Sequence, residues 1–188
     1  PVAGDRILSV DDHAPATSLG LEAPLDADNE MLTITVTGQP TFGVVQKANG
    51  DAVAVNDTIT AADLEALNYV PIADFYGSAG SFTYTVSDGT MSDTGTVTIN
   101  VTAVNDEPTA TVNAYVVSEN SAVNGNVLTD GTPDSDPDDA ANTLVVSAVN
   151  GVGGNVGTQI TLGSGALLIV NADGSYSYNP TPGFGGLF

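Results

Sequence analysis

The sequence predicts an all-β chain of two tandem sandwich modules, the second lacking its last strands. Three observations carry that prediction. Residues 69–77 (YVPIADFYG) reappear about a hundred positions later as residues 178–186 (YNPTPGFGG). Period-two alternation of apolar and polar residues marks several short runs, as half-buried strands require. Valine and threonine dominate over leucine and lysine, which favours strands over helices. A chain of 188 residues accommodates two modules of about a hundred residues each. The boundaries that follow are 1–104 and 105–188.

Taken in chain order, residues 31–36 (MLTITV) form the first clear strand candidate of module one. Residues 60–67 (TAADLEAL) read as a single helical turn with Thr60 as N-cap. Phe82, Tyr84 and Val86 face one way and Thr83, Thr85 and Ser87 the other. Val97, Ile99 and Val101 alternate with Thr98, Asn100 and Thr102 in the same manner. In module two, a first strand ending at Glu119-Asn120 is expected, followed by strands at 144–146 (LVV) and 167–170 (LLIV). Asn49-Gly50, Asp88-Gly89, Asn124-Gly125, Asn150-Gly151 and Asp173-Gly174 read as turns between strands. Nothing in module two corresponds to residues 81–104, so its sheet should have an open edge. Truncation of the piece, or a strand donated by a neighbouring subunit, would account for it. A start at Pro1-Val2 without Met reads as a piece excised from a longer chain.

Two further echoes align the modules. Val10-Asp11-Asp12 pairs with Val117-Ser118-Glu119, and Asp26-Ala27-Asp28 with Asp136-Pro137-Asp138. The junction, residues 103–109 (AVNDEPT), is short and polar, and Pro108 stiffens its exit. It leaves far less slack than a Gly/Ser linker.

Charge narrows the function. Twenty-three acids stand against Arg6 and Lys47, a net −21, which deprives nucleic acid of cationic contacts to phosphate. Anionic membrane surfaces are disfavoured for the same reason, and no apolar stretch approaches transmembrane length. There is no cysteine, so disulfides contribute nothing and the redox compartment is unconstrained.

The acids gather at turns, and this pattern points to Ca2+, a hard cation that takes six to eight oxygen ligands. Asn105 and Asp106 from the junction, Glu119 from the following strand end, and Asp134, Asp136, Asp138 and Asp139 from the next acidic turn can converge at one end of a sandwich. Module one would add Asp74 and Asp88 from nearby loops. Its own matching set is Asp12, Asp26 and Asp28, with Asp11 and Glu30 as neighbours. Asp and Asn also simply make good turns, and that reading stands beside the first. Alternate aspartates without a cation would repel one another.

Other chemistries lack their parts. Residues 134–139 begin like an EF-hand loop, but Asp139 stands where glycine is needed and Val145 where glutamate is needed. Zinc has no Cys and a single His to work with. His13 lies beside Asp11 and Asp12, yet no Gly-x-Ser-x-Gly elbow supplies a nucleophile, so no enzyme is expected. Tyr69, Phe75, Phe82, Tyr176, Tyr178 and Phe184 read as core rather than as sugar platforms. The loop at 151–157 is the remaining candidate for a surface glycan or protein ligand.

The combined motifs resemble the bacterial cadherin-like and VCBS-type repeats of giant RTX-type surface adhesins. In module one the resemblance rests on residues 19–21 (LGL), 23–28 (APLDAD), 63–64 (DL), 69–71 (YVP), 74–77 (DFYG), 82–89 (FTYTVSDG) and 103–106 (AVND). In module two it rests on 125–128 (GNVL), 148–151 (AVNG), 165–168 (GALL), 171–176 (NADGSY) and 183–184 (GF). The resemblance implies Ig-like, cadherin-like sandwiches strung end to end outside the cell, with Ca2+ stiffening each junction. It places ligands at Asn105, Asp106, Glu119, Asp136 and Asp138, with Asp12, Asp26 and Asp28 as their counterparts in module one. The partners it implies are adjacent repeats of the same chain or neighbouring subunits.

Overall fold

The computed structural model describes residues 1–28, 31–119, 121–138 and 143–180. The chain divides into two compact units, Pro1–Asn105 and Asp106–Phe188. Glu30, Asn120, Asp139 and Phe184 lie outside the described residues.

Unit 1 is a sandwich of two sheets. One contains β1 (Arg6–Asp11), β3 (Thr33–Gly38), β5 (Thr58–Ile59), β7 (Gly77–Ser87) and β8 (Ser92–Thr102), in the order β1-β8-β7-β3-β5. The other contains β2 (Thr17–Ser18), β4 (Val44–Gln46) and β6 (Asn68–Val70), in the order β2-β6-β4. β1 runs parallel to β8, from Arg6 opposite Val97 to Asp11 opposite Thr102. The expected alternation sets the faces: Phe82, Tyr84, Val86, Val97, Ile99 and Val101 all point into one core with Val45 and Tyr69 of the second sheet. Nineteen buried apolar residues make up that core, enough to fix the register of both long strands.

The single α-helix among the described residues, α1 (Ala61–Glu65), starts where the sequence places its cap. Thr60 Oγ1 accepts from the Asp63 amide at 3.0 Å, and Asp63 Oδ2 accepts from the Thr60 amide at 3.2 Å. This reciprocal pair satisfies two amides that a helix start leaves free. Leu64 is the helix residue sealed into the core.

Unit 2 has one antiparallel sheet in the order β10-β11-β12-β9, from β9 (Val123–Asn126), β10 (Ile160–Thr161), β11 (Leu167–Val170) and β12 (Ser175–Asn179). The turn between β11 and β12 uses Gly174 at φ 80°, as the Asp-Gly signal predicts. Its core is thin, with Val149, Val170 and Tyr176 buried among partly covered neighbours.

Three sequence expectations need correction. Residues 113–118 form no strand, because no strand lies alongside to complete a ladder among the described residues. Residues 144–146 also lie outside any strand; their hydrogen bond is from the Val146 amide to Ala172 O at 2.9 Å. Asn124-Gly125 is not a turn but the middle of β9. A Cβ on Gly125 would sit 2.8 Å from the Tyr176 ring, so glycine is there for close packing.

An isolated bridge of unit 2 repeats a detail of unit 1. In unit 1 the Val2 amide donates to Leu25 O at 2.8 Å. In unit 2 Thr109 and Ser135 exchange amide-to-carbonyl bonds of 2.7 and 3.1 Å. Both bridges immediately precede an Asp-x-Asp turn.

Candidate functional site

Two groups of acidic side chains lie at opposite ends of unit 1. At the end where β1 and β8 finish, the Asp12 amide donates to Thr102 O at 3.0 Å, and Asp12 Oδ1 accepts from the Val104 amide at 3.0 Å. Asp12 is 2% exposed and is the only buried charged residue among the described residues. Its second oxygen, Oδ2, is buried without a hydrogen-bond partner among them. A carboxylate oxygen held away from water with no donor is costly. A hard cation is the kind of partner that such an oxygen fits. Asp74 belongs to the same end, where its Oδ1 lies 3.4 Å from His13 Nε2. It adopts φ 63°, a left-handed conformation that aspartate tolerates better than most residues. Asp11 is engaged locally, accepting from Thr102 Oγ1 at 2.6 Å.

The other end holds Asp26, Asp88 and Asp93 around the Pro1 nitrogen. Asp26 Oδ2 lies 2.8 Å from it and Asp88 Oδ2 4.0 Å. Asp88 is held below the usual carboxylate range because the Met91 and Thr90 amides donate to it, at 2.7 and 2.6 Å. The Ala3 and Thr94 amides do the same for Asp93.

The topology therefore separates residues that the sequence placed together. Asp74 precedes β7 and Asp88 follows it, with eleven strand residues between them, roughly 35 Å at 3.3 Å per residue. Asp12 is parted in the same way from Asp26 and Asp28, so the expected set of three is two groups at opposite ends. Asp93 was absent from the sequence-based set. Only the β7–β8 register, which sets Asp93 opposite Val86, brings it to this tip.

In unit 2 the Asp106 amide donates to Asp138 Oδ2. The Asp138 amide donates to Asp136 Oδ1 at 3.0 Å, as the Asp28 amide does to Asp26 Oδ1 at 2.8 Å in unit 1. Both Asp-x-Asp turns are thus closed by their own first aspartate. Asp134 is committed elsewhere: its Oδ1 accepts from the Thr111 amide at 2.7 Å and from Thr111 Oγ1 at 3.1 Å. Glu119 is exposed on a turn rather than at a strand end, and Asn105 is the exposed last residue of unit 1. In the 151–157 loop, residues Gly153–Asn155 form one 3-10 turn, and Asn155 Nδ2 donates to Val149 O at 3.1 Å.

Among the described residues no helix is long and apolar enough to cross a membrane. A comparison with curated proteins finds no match. Among solved structures, human protocadherin-24 EC1-2 is 17% identical, covers 98% of this chain and 82% of that one, and has a TM-score of 0.48. Drosophila N-cadherin EC1-4 is 16% identical over 96% of this chain and 41% of that one, at 0.43. The CsuC–CsuE chaperone–tip adhesion subunit pre-assembly complex of Acinetobacter baumannii is 8% identical over 66% of this chain and 68% of that one, at 0.36. None of these scores reaches one half, so the likenesses carry no argument about function. The family described as bacterial Ig domain (Big_9) matches residues 1–100 and again 105–187. The chain belongs to the bacterial Ig domain family, in two successive copies.

Proposed function

We propose that this chain is a non-enzymatic segment of a bacterial surface adhesin or surface filament, a spacer whose junction is stiffened by Ca2+. The observation that carries the reading is Asp12: a residue 2% exposed, with one carboxylate oxygen on the Val104 amide and the other without a hydrogen-bond partner among the described residues. Val104 is two residues from Asp106, so the covalent chain keeps Asp106 within about 8 Å of that amide, Cα to Cα. The proposed ligands are Asp12 and Asp74 from unit 1, Asn105 and Asp106 from the linker, and Asp136 and Asp138 from the following acidic turn. Glu119 and Asp134 are secondary candidates, since the one is exposed and the other already holds Thr111. Asp26, Asp28 and Asp88 would serve a second cation at the far end of unit 1.

The cation would supply positive charge to carboxylates that otherwise repel, in a chain of net −21. Asp12 would anchor it to the last turn of unit 1, with its backbone amide fixed by Thr102 and its side chain by Val104. Asp138 would tie it to the linker through the Asp106 amide. Binding only the folded form would add stability by mass action. Secretion and display on the cell surface follow from the same reading, since millimolar Ca2+ is an extracellular condition that weak sites of this type use.

Melting curves and small-angle scattering with Ca2+ and with chelator test the proposal. Ca2+ should raise the transition of unit 1 and lengthen the particle. Identical melting and identical scattering in both conditions would rule it out.

A further inference from the structure

The chain holds three Asn-Gly pairs, at 49–50, 124–125 and 150–151. Each carries the parts of one slow reaction. The glycine nitrogen can attack the asparagine side-chain carbonyl, and no glycine side chain shields it. Asn150 sits at φ 52° and Gly151 at φ 74°, the left-handed conformations that a two-residue hairpin demands. In that conformation the following nitrogen lies roughly opposite Cβ about the Cα–C bond. The turn must therefore open before the nitrogen reaches Cγ, and what has to open differs between the three pairs.

At 150–151 the turn is closed by reciprocal Val149–Val152 bonds of 3.2 and 3.1 Å, an isolated bridge with no ladder behind it. Asn150 and Gly151 are both exposed. Among the described residues, neither the Asn150 side chain nor the Gly151 amide has a hydrogen-bond partner. At 49–50 the Gly50 amide donates to Lys47 O at 2.9 Å. Asn49 is also held at both side-chain atoms: Nδ2 donates to Asp51 Oδ2 at 2.8 Å, and Oδ1 accepts from the Asp51 amide at 3.0 Å. The pair at 124–125 lies inside β9, with Asn124 opposite Ser177 and Gly125 opposite Tyr176 in the ladder.

We propose that Asn150 is a self-modification site, converting to aspartate and isoaspartate in the folded protein ahead of Asn49 and Asn124, and that the change loosens unit 2. The Gly151 nitrogen, losing its proton to solvent base, forms a bond to Asn150 Cγ. The Cγ–Nδ2 bond breaks and Nδ2 leaves as ammonia, closing a succinimide ring. Water then adds at Cγ, which restores the main chain as aspartate, or at the main-chain carbonyl carbon, which leaves isoaspartate. One water is consumed and one ammonia released, with no oxidant or reductant. Either product adds a carboxylate. Isoaspartate also adds one atom to the chain path between Val149 and Gly151, and a two-residue turn so lengthened cannot keep both Val149–Val152 bonds. Val149 is one of three buried residues in the core of unit 2, and its carbonyl also accepts from Asn155 Nδ2 at 3.1 Å. The change therefore reaches a core that is already thin. Asparagine suits this turn because it tolerates left-handed φ, so the residue that shapes the hairpin is also the one that ages it. The inference is independent of any cation.

The test follows the 188-residue chain over days at mildly alkaline pH with chelator present. Peptide mass spectrometry and labelling by an isoaspartate-specific methyltransferase read the modification. In the folded chain, Asn150 should react about tenfold or more faster than Asn49 or Asn124. In urea the three rates should converge, because only the shared Asn-Gly chemistry remains. The transition of unit 2 should fall by about 5 °C in the modified protein. Asn150→Gly keeps the left-handed turn and should hold its transition through the same incubation. Asn49 or Asn124 reacting first in the folded chain, or the same spread of rates in urea, would overturn the proposal. A modified unit 2 that melts unchanged would overturn it equally.

Discussion

Asp12 shows how one side chain can carry conflicting demands. Its backbone and Oδ1 close the last turn of unit 1, while Oδ2 is buried with no donor. Asp12→Asn keeps the acceptor for Val104 and removes the charge. Melting in chelator should therefore hold or rise, and the Ca2+-dependent gain should fall by about 1.4 kcal/mol, the value of a tenfold loss in affinity. Calorimetry with and without Ca2+ checks both halves, and an unaltered Ca2+ response would remove Asp12 from the ligand set. Asp88 and Asp93 make a second prediction. Backbone amides hold both below their ordinary pKa. Their contribution is present above the unfolded carboxylate value, near pH 4, and is lost as pH falls through the lower folded values. Urea unfolding from pH 6 to pH 2 should show unit 1 weakening below about pH 4, with a shallower loss in Asp88→Asn.

The long hairpin of β7 and β8 depends on one absence of a side chain. A Cβ on Gly95 would lie 2.5 Å from the ring of Tyr84, which is 1% exposed and whose OH donates to Gly4 O at 3.1 Å. The ring has nowhere to go, so Gly95→Ala should cost about 1–3 kcal/mol by overpacking. Thr60→Ala should cost about 1 kcal/mol through the lost cap. Chemical denaturation measures both, and a neutral Gly95→Ala would mean that β8 can shift. The hairpin and the cap were legible in the sequence because both are local: Phe82, Tyr84 and Val86 alternate within one strand, and Thr60 meets Asp63 three residues on. The ends at which acids gather were not legible. Asp74 and Asp88 both read as residues of loops near the junction, and only the direction of β7 parts them. Residues 144–146 have strand composition, but a strand also requires a partner, and sequence composition does not specify one.

The two copies of one family differ most in what they bury. Unit 1 has nineteen buried apolar residues in its core cluster, and the described part of unit 2 has three. Cooperative stability follows buried apolar surface. Calorimetry should resolve two transitions, the first belonging to unit 2, with exchange of the β9–β12 amides as the assignment. A single transition at one temperature would contradict this account of the cores. Salt should raise the unit 1 transition in the absence of Ca2+, because screening relieves the mutual repulsion of its acids.

The parallel pairing of β1 with β8 has a consequence for a protein that is pulled. The chain enters unit 1 at the Arg6 end of that pair and leaves at the Thr102 end, so a pull on the two ends of the unit would draw the two strands past each other. Six register positions then resist together instead of opening one at a time. Survival under force is set by how fast the unit ruptures rather than by its equilibrium stability. Under a load applied between residues 1 and 105, unit 1 should therefore shear rather than unzip.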